Sequence, residues 1–255
     1  MIRKSYLFLL LFMLFVELMA AFFDASKTRV LNTWRVLNLF EMLLLIGWVM
    51  YDTNKNKSYY SQLANQLSIL IIVGFVFSFM GGVINNHLID LTFILKNQSI
   101  LSAIPFSIAH ILYIRSYYLL SQNPQNTTNY FITDMKRLRI ISLIVWPIFV
   151  FALWKILIPS TAPVVIKYIC LGYAFMVSLM ALTSFWVYNA WGSRGIMVTI
   201  GGIIFLVSDC VFGYFLMQGP NVPILAAHFV WITYYIAQLC IAQTPFVPST
   251  SKKCL

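Results

Sequence analysis

The chain has 255 residues, of which 61% are hydrophobic, 16% aromatic and only 9% charged. Soluble domains carry about 25% charged residues, so this composition excludes a soluble globular protein. The net charge of +10 does not indicate a nucleic-acid partner, because the basic residues lie between apolar runs, where membrane topology places them. We therefore predict a single polytopic membrane domain over residues 1–255.

The apolar runs predict an all-α membrane helix bundle of about eight transmembrane helices, since one crossing needs about 20 apolar residues. The predicted spans are residues 5–23, 34–51, 67–88, 98–120, 139–158, 164–188, 195–217 and 223–243. The first span follows Arg3 and Lys4 as a signal peptide would, but it contains Glu17 and lacks a small-residue cleavage site. We expect it to be retained. The Asn-rich stretch 121–137 predicts the longest loop.

The distribution of Lys and Arg predicts that both termini face the cytoplasm. With eight spans, 11 of the 17 basic residues lie on the side of the termini, and cytoplasmic loops carry the basic excess. The other six are Lys27, Arg29, Arg35, Lys96, Lys155 and Lys167. The tail Lys252-Lys253-Cys254-Leu255 resembles a dilysine retrieval signal. We expect the cell (inner) membrane in a bacterium and the endoplasmic reticulum membrane in a eukaryote.

The cysteines and histidines do not form the pattern of a metal site. They are Cys170, Cys210, Cys240, Cys254, His87, His110 and His228. The chain has no CxxC pair and no HxxxH spacing, which are the usual arrangements of zinc ligands. We therefore expect neither a metal nor another cofactor.

One carboxylate, Asp209, lies inside the seventh predicted span. An ionisable side chain at bilayer depth is costly in contact with lipid, so we expect it to face protein or a wet cavity. Gly202, Phe205 and Gly213 share its face of the helix. Glycines there fit either close helix packing around a structural Asp or space for a ligand, and the spacing leaves both open.

Other polar side chains in the spans admit structural explanations. Trp231, Tyr234 or Tyr235, Gln238 and Ala242 follow one stripe of the last span, and His110 and Tyr113 lie three apart in the fourth. Interhelical hydrogen bonds explain both sets better than catalysis does. Asn85, Asn86, His87 and Asp90 form a polar end of the third span, a continuation of it, a re-entrant turn or a solvated loop. Glu17, and Glu41 with Asn38, are further candidates for buried groups.

Three motifs in the same order resemble the lysoplasmalogenase family of integral membrane proteins, the YhhN-like family. Residues 201–209 read G-G-I-I-F-L-V-S-D, where the family has G-x-x-L-F-x-x-S-D. Residues 233–238 read T-Y-Y-I-A-Q, against T-Y-Y-x-A-Q, and residues 109–113 read A-H-I-L-Y, against A-H-x-x-Y. The resemblance covers most of the chain in helix order and is most specific in the last fifty residues.

One family feature is missing from its usual place. The family has a Gly-Asp pair in its third helix, whereas the local match here, residues 77–82, ends in Gly82. Asp90 is the alternative, because its separation from His110 resembles the family's Asp-to-His separation. Depth favours Gly82, because Gly82 and Asp209 both lie about 21 Å from the cytoplasmic ends of their helices at 1.5 Å per residue. Both assignments remain open.

The resemblance implies hydrolysis of the vinyl-ether bond of a lysoplasmalogen, giving a fatty aldehyde and glycerophosphocholine or glycerophosphoethanolamine. It implies that Asp209 and Asp90 share the acid and base roles, because an enol ether must be protonated on carbon before water adds. The residues expected to bind substrate or water are Tyr234, Gln238, His110, Tyr113 and Ser208. The alternative is a non-catalytic lipid-binding or transport protein of the same fold, whose partners would again be lipids.

Overall fold

The structure, a computed structural model, describes residues 12, 15, 29–55, 62–86, 88–89, 91, 93, 98–124, 129–157, 163–218 and 224–248. Most of the first predicted span, including Glu17, lies outside these residues, as do His87, Asp90 and the C-terminal tail. The side chains of Asn38 and Glu41 also lie outside the described part.

Seven α-helices and no strand occur in the described residues. They are α1 (Arg29–Lys55), α2 (Gln62–Asn85), α3 (Gln98–Gln122), α4 (Asn129–Leu157), α5 (Val164–Trp191), α6 (Ile196–Gln218) and α7 (Ile224–Ile241). This confirms the all-α prediction. Five of them, α2 to α6, are long and apolar enough to cross a membrane, which supports a multi-pass membrane protein. The count of eight spans and the cytoplasmic termini remain predictions.

The predicted loop at 121–137 is wrong in its second half, because α4 already begins at Asn129. A polar composition does not exclude a helix, because a membrane helix can continue beyond the apolar run that spans the bilayer. Farther along α4 the exposed side chains are apolar, as in Ile140, Ile144 and Ile148. A polar start followed by an apolar outer face is the surface expected of a helix that enters lipid.

Small residues bring the helices of the bundle close together. A Cβ atom at Gly81 on α2 would lie 2.9 Å from the Phe106 ring on α3. A Cβ atom at Gly201 on α6 would lie 2.8 Å from Cβ of Cys240 and 3.1 Å from the carbonyl oxygen of Ala237, both on α7. Close approach at small residues is the usual way in which membrane helices pack.

A tight connection sets α5 and α6 side by side. Gly192, at the end of α5, has φ of 58°, a left-handed conformation that glycine adopts without a steric penalty. The chain then reverses through the short 3₁₀ turn Gly192–Arg194, and Oγ1 of Thr199 on α6 donates to the carbonyl oxygen of Ser184 on α5 at 2.7 Å. This antiparallel pair carries Tyr173 and Asp209.

Candidate functional site

Asp209 on α6 contacts two polar side chains from two other helices. The hydroxyl of Tyr173 on α5 donates to Oδ2 of Asp209 at 2.7 Å, and Nε2 of His110 on α3 lies 3.5 Å from the same oxygen. Nε2 of His110 is also 2.9 Å from the Tyr173 hydroxyl. The predicted pairing of Asp209 with protein groups therefore exists, and its partners are Tyr173 and His110.

The surroundings of His110 hold its ring in one orientation. The side chain is fully buried, Nδ1 lies 3.3 Å from the sulfur of Met180, and the ring of Phe205 packs edge-on with centroids 4.8 Å apart. With the ring fixed, Nε2 points to Tyr173 and Asp209. The histidine therefore contacts the carboxylate at Oδ2, both directly and through the Tyr173 hydroxyl.

The other oxygen of Asp209 is available to a ligand. No protein group in the described part of the chain bonds Oδ1, and the Asp209 side chain is 10% exposed. Asp209 lines a cavity between the helices together with Tyr173, Tyr234 and Phe106. A carboxyl group that lines a cavity and has one oxygen without a protein partner among the described residues can exchange a proton with a molecule bound there.

The cavity is elongated and almost entirely apolar. On α5 its lining runs from Val177 to Ile166, which is about 16 Å at 1.5 Å per residue. It reaches the surface of the protein, because two lining residues, Phe149 and Tyr214, are 58% and 38% exposed. A long apolar cavity with one acidic group fits an amphiphile that enters from the membrane.

Asn85, the last residue of α2, is a further polar group in the cavity lining. Its Oδ1 atom is buried and has no hydrogen-bond partner. Buried acceptors are normally satisfied, so a ligand or water in the cavity is a natural partner for this amide. In the described part of this segment, α2 ends at Asn85 and Asn86 follows in a turn. The alternatives for His87 and Asp90 stay open, because both lie outside the described residues.

Gln238 and Tyr113 lie in a separate cluster with Ser78. The Tyr113 hydroxyl donates to Oε1 of Gln238 at 3.1 Å and lies 3.0 Å from Oγ of Ser78, to which Nε2 of Gln238 donates at 3.3 Å. All three side chains are fully buried. Their hydrogen bonds join α2, α3 and α7, so structure accounts for both predicted residues, and substrate binding by them stays a prediction.

Ser208 and Tyr234 complete the predicted set. Oγ of Ser208 donates to the carbonyl oxygen of Val230 on α7 at 2.9 Å, which is an interhelical bond of the packing type. Tyr234 lines the cavity, and its buried hydroxyl, close to Gln238 and Ser78, makes no hydrogen bond of good geometry. Tyr234 is therefore the member of the last span best placed to touch a ligand.

Sequence reasoning missed Tyr173, which bonds both Asp209 and His110. It is a tyrosine in an apolar span, and such residues occur throughout this chain, so only its place in the fold distinguishes it. Gly82 is buried on α2, whereas Asp90 lies outside the described residues. Among described residues, no group of three His, Cys, Asp or Glu side chains could hold a metal ion.

A comparison with protein families gives one match that covers most of the chain. The model of the YhhN family matches residues 33–244, a range that contains all seven residues proposed for the site, Asp90 included. No curated protein matches, and no solved structure matches.

Proposed function

The chain belongs to the YhhN family, which includes lysoplasmalogenases, and we propose that it hydrolyses the vinyl-ether bond of a lysoplasmalogen. The observation that carries this proposal is the position of Asp209, which lines an apolar cavity while its Oδ2 accepts a hydrogen bond from Tyr173. The products would be a fatty aldehyde and glycerophosphocholine or glycerophosphoethanolamine.

The first step is transfer of a proton from Oδ1 of Asp209 to the outer carbon of the vinyl ether. The carbon–carbon double bond supplies the electron pair for the new C–H bond, and the ether oxygen stabilises the resulting oxocarbenium ion. This step requires that Asp209 carry the proton when the substrate is bound. A positioned general acid contributes about 10²- to 10⁴-fold to such a rate.

The second step is addition of water to the oxocarbenium carbon. Asp209, now a carboxylate, accepts a proton from the water as the new C–O bond forms, which gives a hemiacetal and restores the acid. When the hemiacetal collapses, its hydroxyl proton is transferred to the glycerol oxygen, the bond between that oxygen and the carbon breaks, and the aldehyde and the glycerol hydroxyl are released. Tyr173 and His110 stabilise the carboxylate through Oδ2 between the two steps, as preorganised donors do at developing charge.

The roles around Asp209 follow from the positions of the groups. Asn85, with its unpartnered Oδ1, is suited to accept a hydrogen bond from the attacking water or from the glycerol hydroxyl. Tyr234 lines the same cavity and is suited to contact the alkenyl segment. Asp90 remains the proposed second carboxylate, which would take over water activation if it faces the cavity.

Non-catalytic lipid binding or transport is the second candidate function. It is favoured by one observation: among the described lining residues, Asp209 is the single carboxylate, whereas paired carboxylates are the commoner arrangement for related acid/base chemistry. Both functions place a lipid in the cavity, and they differ in whether aldehyde is released.

The test uses purified full-length protein in phospholipid nanodiscs with choline and ethanolamine lysoplasmalogens. We expect release of fatty aldehyde, and in D₂O we expect one deuterium at carbon 2 of the aldehyde after it is trapped by reduction. That label reports protonation of carbon, the step assigned to Asp209. Saturable binding of the lipids without aldehyde release would contradict the hydrolase proposal and support lipid binding.

A further inference from the structure

Lys155, near the end of α4, follows a residue of the cavity lining, Trp154. Its Nζ atom is 5.5 Å from the centroid of the Trp154 ring and 5.7 Å from that of Phe151, and Trp154 is part of the cavity lining. Nε1 of Trp154 donates to the carbonyl oxygen of Lys167 at 3.3 Å. This bond joins α4 to α5 at the level of Lys167 and so fixes the position of Trp154, the neighbour of Lys155.

The charge of Lys155 is available to an anion. The side chain is exposed, and within the described ranges no carboxylate lies at ion-pair distance from it. Contact with two ring faces is a weak cation–π interaction at an exposed position, so it orients the ammonium without satisfying its charge. Lys167 lies at the same end of α5, so a second basic residue is present at this level of the bundle.

The height of Lys155 above Asp209 can be read along α5. Trp154, next to Lys155, is bonded at the level of Lys167, and Asp209 is bonded at the level of Tyr173. Six residues separate Tyr173 from Lys167 along the helix, which corresponds to about 9 Å at 1.5 Å per residue. The acidic and basic groups therefore lie about 9 Å apart along the axis of α5.

A lysoplasmalogen has the same separation between its reactive carbon and its phosphate. Seven covalent bonds, each of about 1.5 Å, lead from the outer vinyl carbon through the glycerol to phosphorus and span roughly 9 Å when extended. We propose that Lys155 binds the phosphodiester of the lysophospholipid head group and so sets the depth at which the vinyl ether lies. This inference rests on the proposed function, since it takes Asp209 as the reacting group.

The hydrocarbon chain then has a path of its own. With the head group at Lys155 and the vinyl ether at Asp209, the chain continues from the reacting carbon into the apolar lining. The exposed lining residue Phe149 marks a lateral opening through which a long chain can extend into the bilayer. Phosphate binding thus fixes the position of the head group and sets no limit on the length of the hydrocarbon chain.

The test is Lys155→Gln, assayed with choline lysoplasmalogen and with 1-alkenylglycerol, which has the same vinyl ether but no phosphate. We expect KM for the phospholipid to rise about tenfold, as for loss of one charge-assisted contact, with kcat within twofold of wild type. Neither constant should change for alkenylglycerol, and Lys155→Arg should restore the KM. Lys136→Gln, at the other end of α4, is the matched control and should behave as wild type.

Two results would overturn the inference: an unchanged KM of Lys155→Gln for the phospholipid, or an equal loss with both substrates. A binding measurement separates this outcome from failure of the proposed function. The probe is a saturated alkyl lysophosphocholine, which cannot be hydrolysed at a vinyl ether, titrated into wild type and Lys155→Gln in nanodiscs. About tenfold weaker binding by the variant supports the phosphate site even if no lysoplasmalogen is cleaved, and equal affinity refutes it.

Discussion

Tyr173 donates a 2.7 Å hydrogen bond to Oδ2 of Asp209. The same hydroxyl lies 2.9 Å from Nε2 of His110. It therefore joins α3, α5 and α6 at the carboxyl group. It also leaves Oδ1 as the oxygen of Asp209 that has no protein partner among the described residues. The proposed chemistry depends on that division.

Removing the hydroxyl in Tyr173→Phe should lower kcat for lysoplasmalogen about 10- to 100-fold, since a hydrogen bond to a charged group contributes about 1.5–3 kcal/mol. KM should change little, because the bond stabilises the carboxylate formed during reaction. Steady-state aldehyde release measures both constants. Tyr188→Phe removes an exposed hydroxyl from the same helix and should be neutral, whereas an unchanged kcat in Tyr173→Phe would remove Tyr173 from the site.

Asn85→Ala removes the unpartnered amide from the cavity lining. If the amide positions water or the glycerol hydroxyl, kcat/KM should fall about tenfold, the effect of one net hydrogen bond, while the unfolding temperature stays within a few degrees. Asn189→Ala, an exposed amide on α5, is the control. Wild-type kcat/KM in Asn85→Ala would show that this residue does not contact the reacting molecules.

Tyr113→Phe separates structure from catalysis at the second polar cluster. The change removes two hydrogen bonds, to Gln238 and Ser78, while those two side chains still bond each other. We expect a loss of about 1 kcal/mol in the free energy of unfolding and a kcat within twofold of wild type. Thermal unfolding in detergent and aldehyde release test the two parts, with exposed Tyr118→Phe as control. A large loss of kcat without destabilisation would instead place Tyr113 in substrate binding.

The close approach of α6 and α7 predicts a packing defect in Gly201→Ala. The new Cβ would lie 2.8 Å from Cβ of Cys240, so the helices must separate, at a cost of about 1–3 kcal/mol. The midpoint of thermal unfolding should fall accordingly. Gly172→Ala on α5 meets nothing within 4 Å and should leave the midpoint unchanged. Equal midpoints for the two variants would contradict the packing at Gly201.

Helix order and most helix ends followed from apolar run length, because backbone groups in lipid must be satisfied within a helix. The start of α4 at Asn129 could not be predicted in this way, because a polar composition does not show where a helix begins or ends. Asp209 was found because a carboxylate in an apolar span is rare. Its partner Tyr173 was not found, because the packing between α5 and α6 decides which of the many tyrosines contacts Asp209. The packing also gave Gln238 and Ser208 structural bonds, which spacing alone could not separate from ligand contacts.

The central claim is that Asp209 gives a proton to the carbon of a vinyl ether, and Asp209→Asn tests it most directly. Asparagine keeps the shape and can still accept the hydrogen bond from Tyr173, so the fold should be retained, as judged by expression and unfolding temperature. We predict that aldehyde release from choline lysoplasmalogen falls at least about 100-fold, the lower range for loss of a general acid. Aldehyde release at the wild-type rate from a normally folded Asp209→Asn protein would contradict the account.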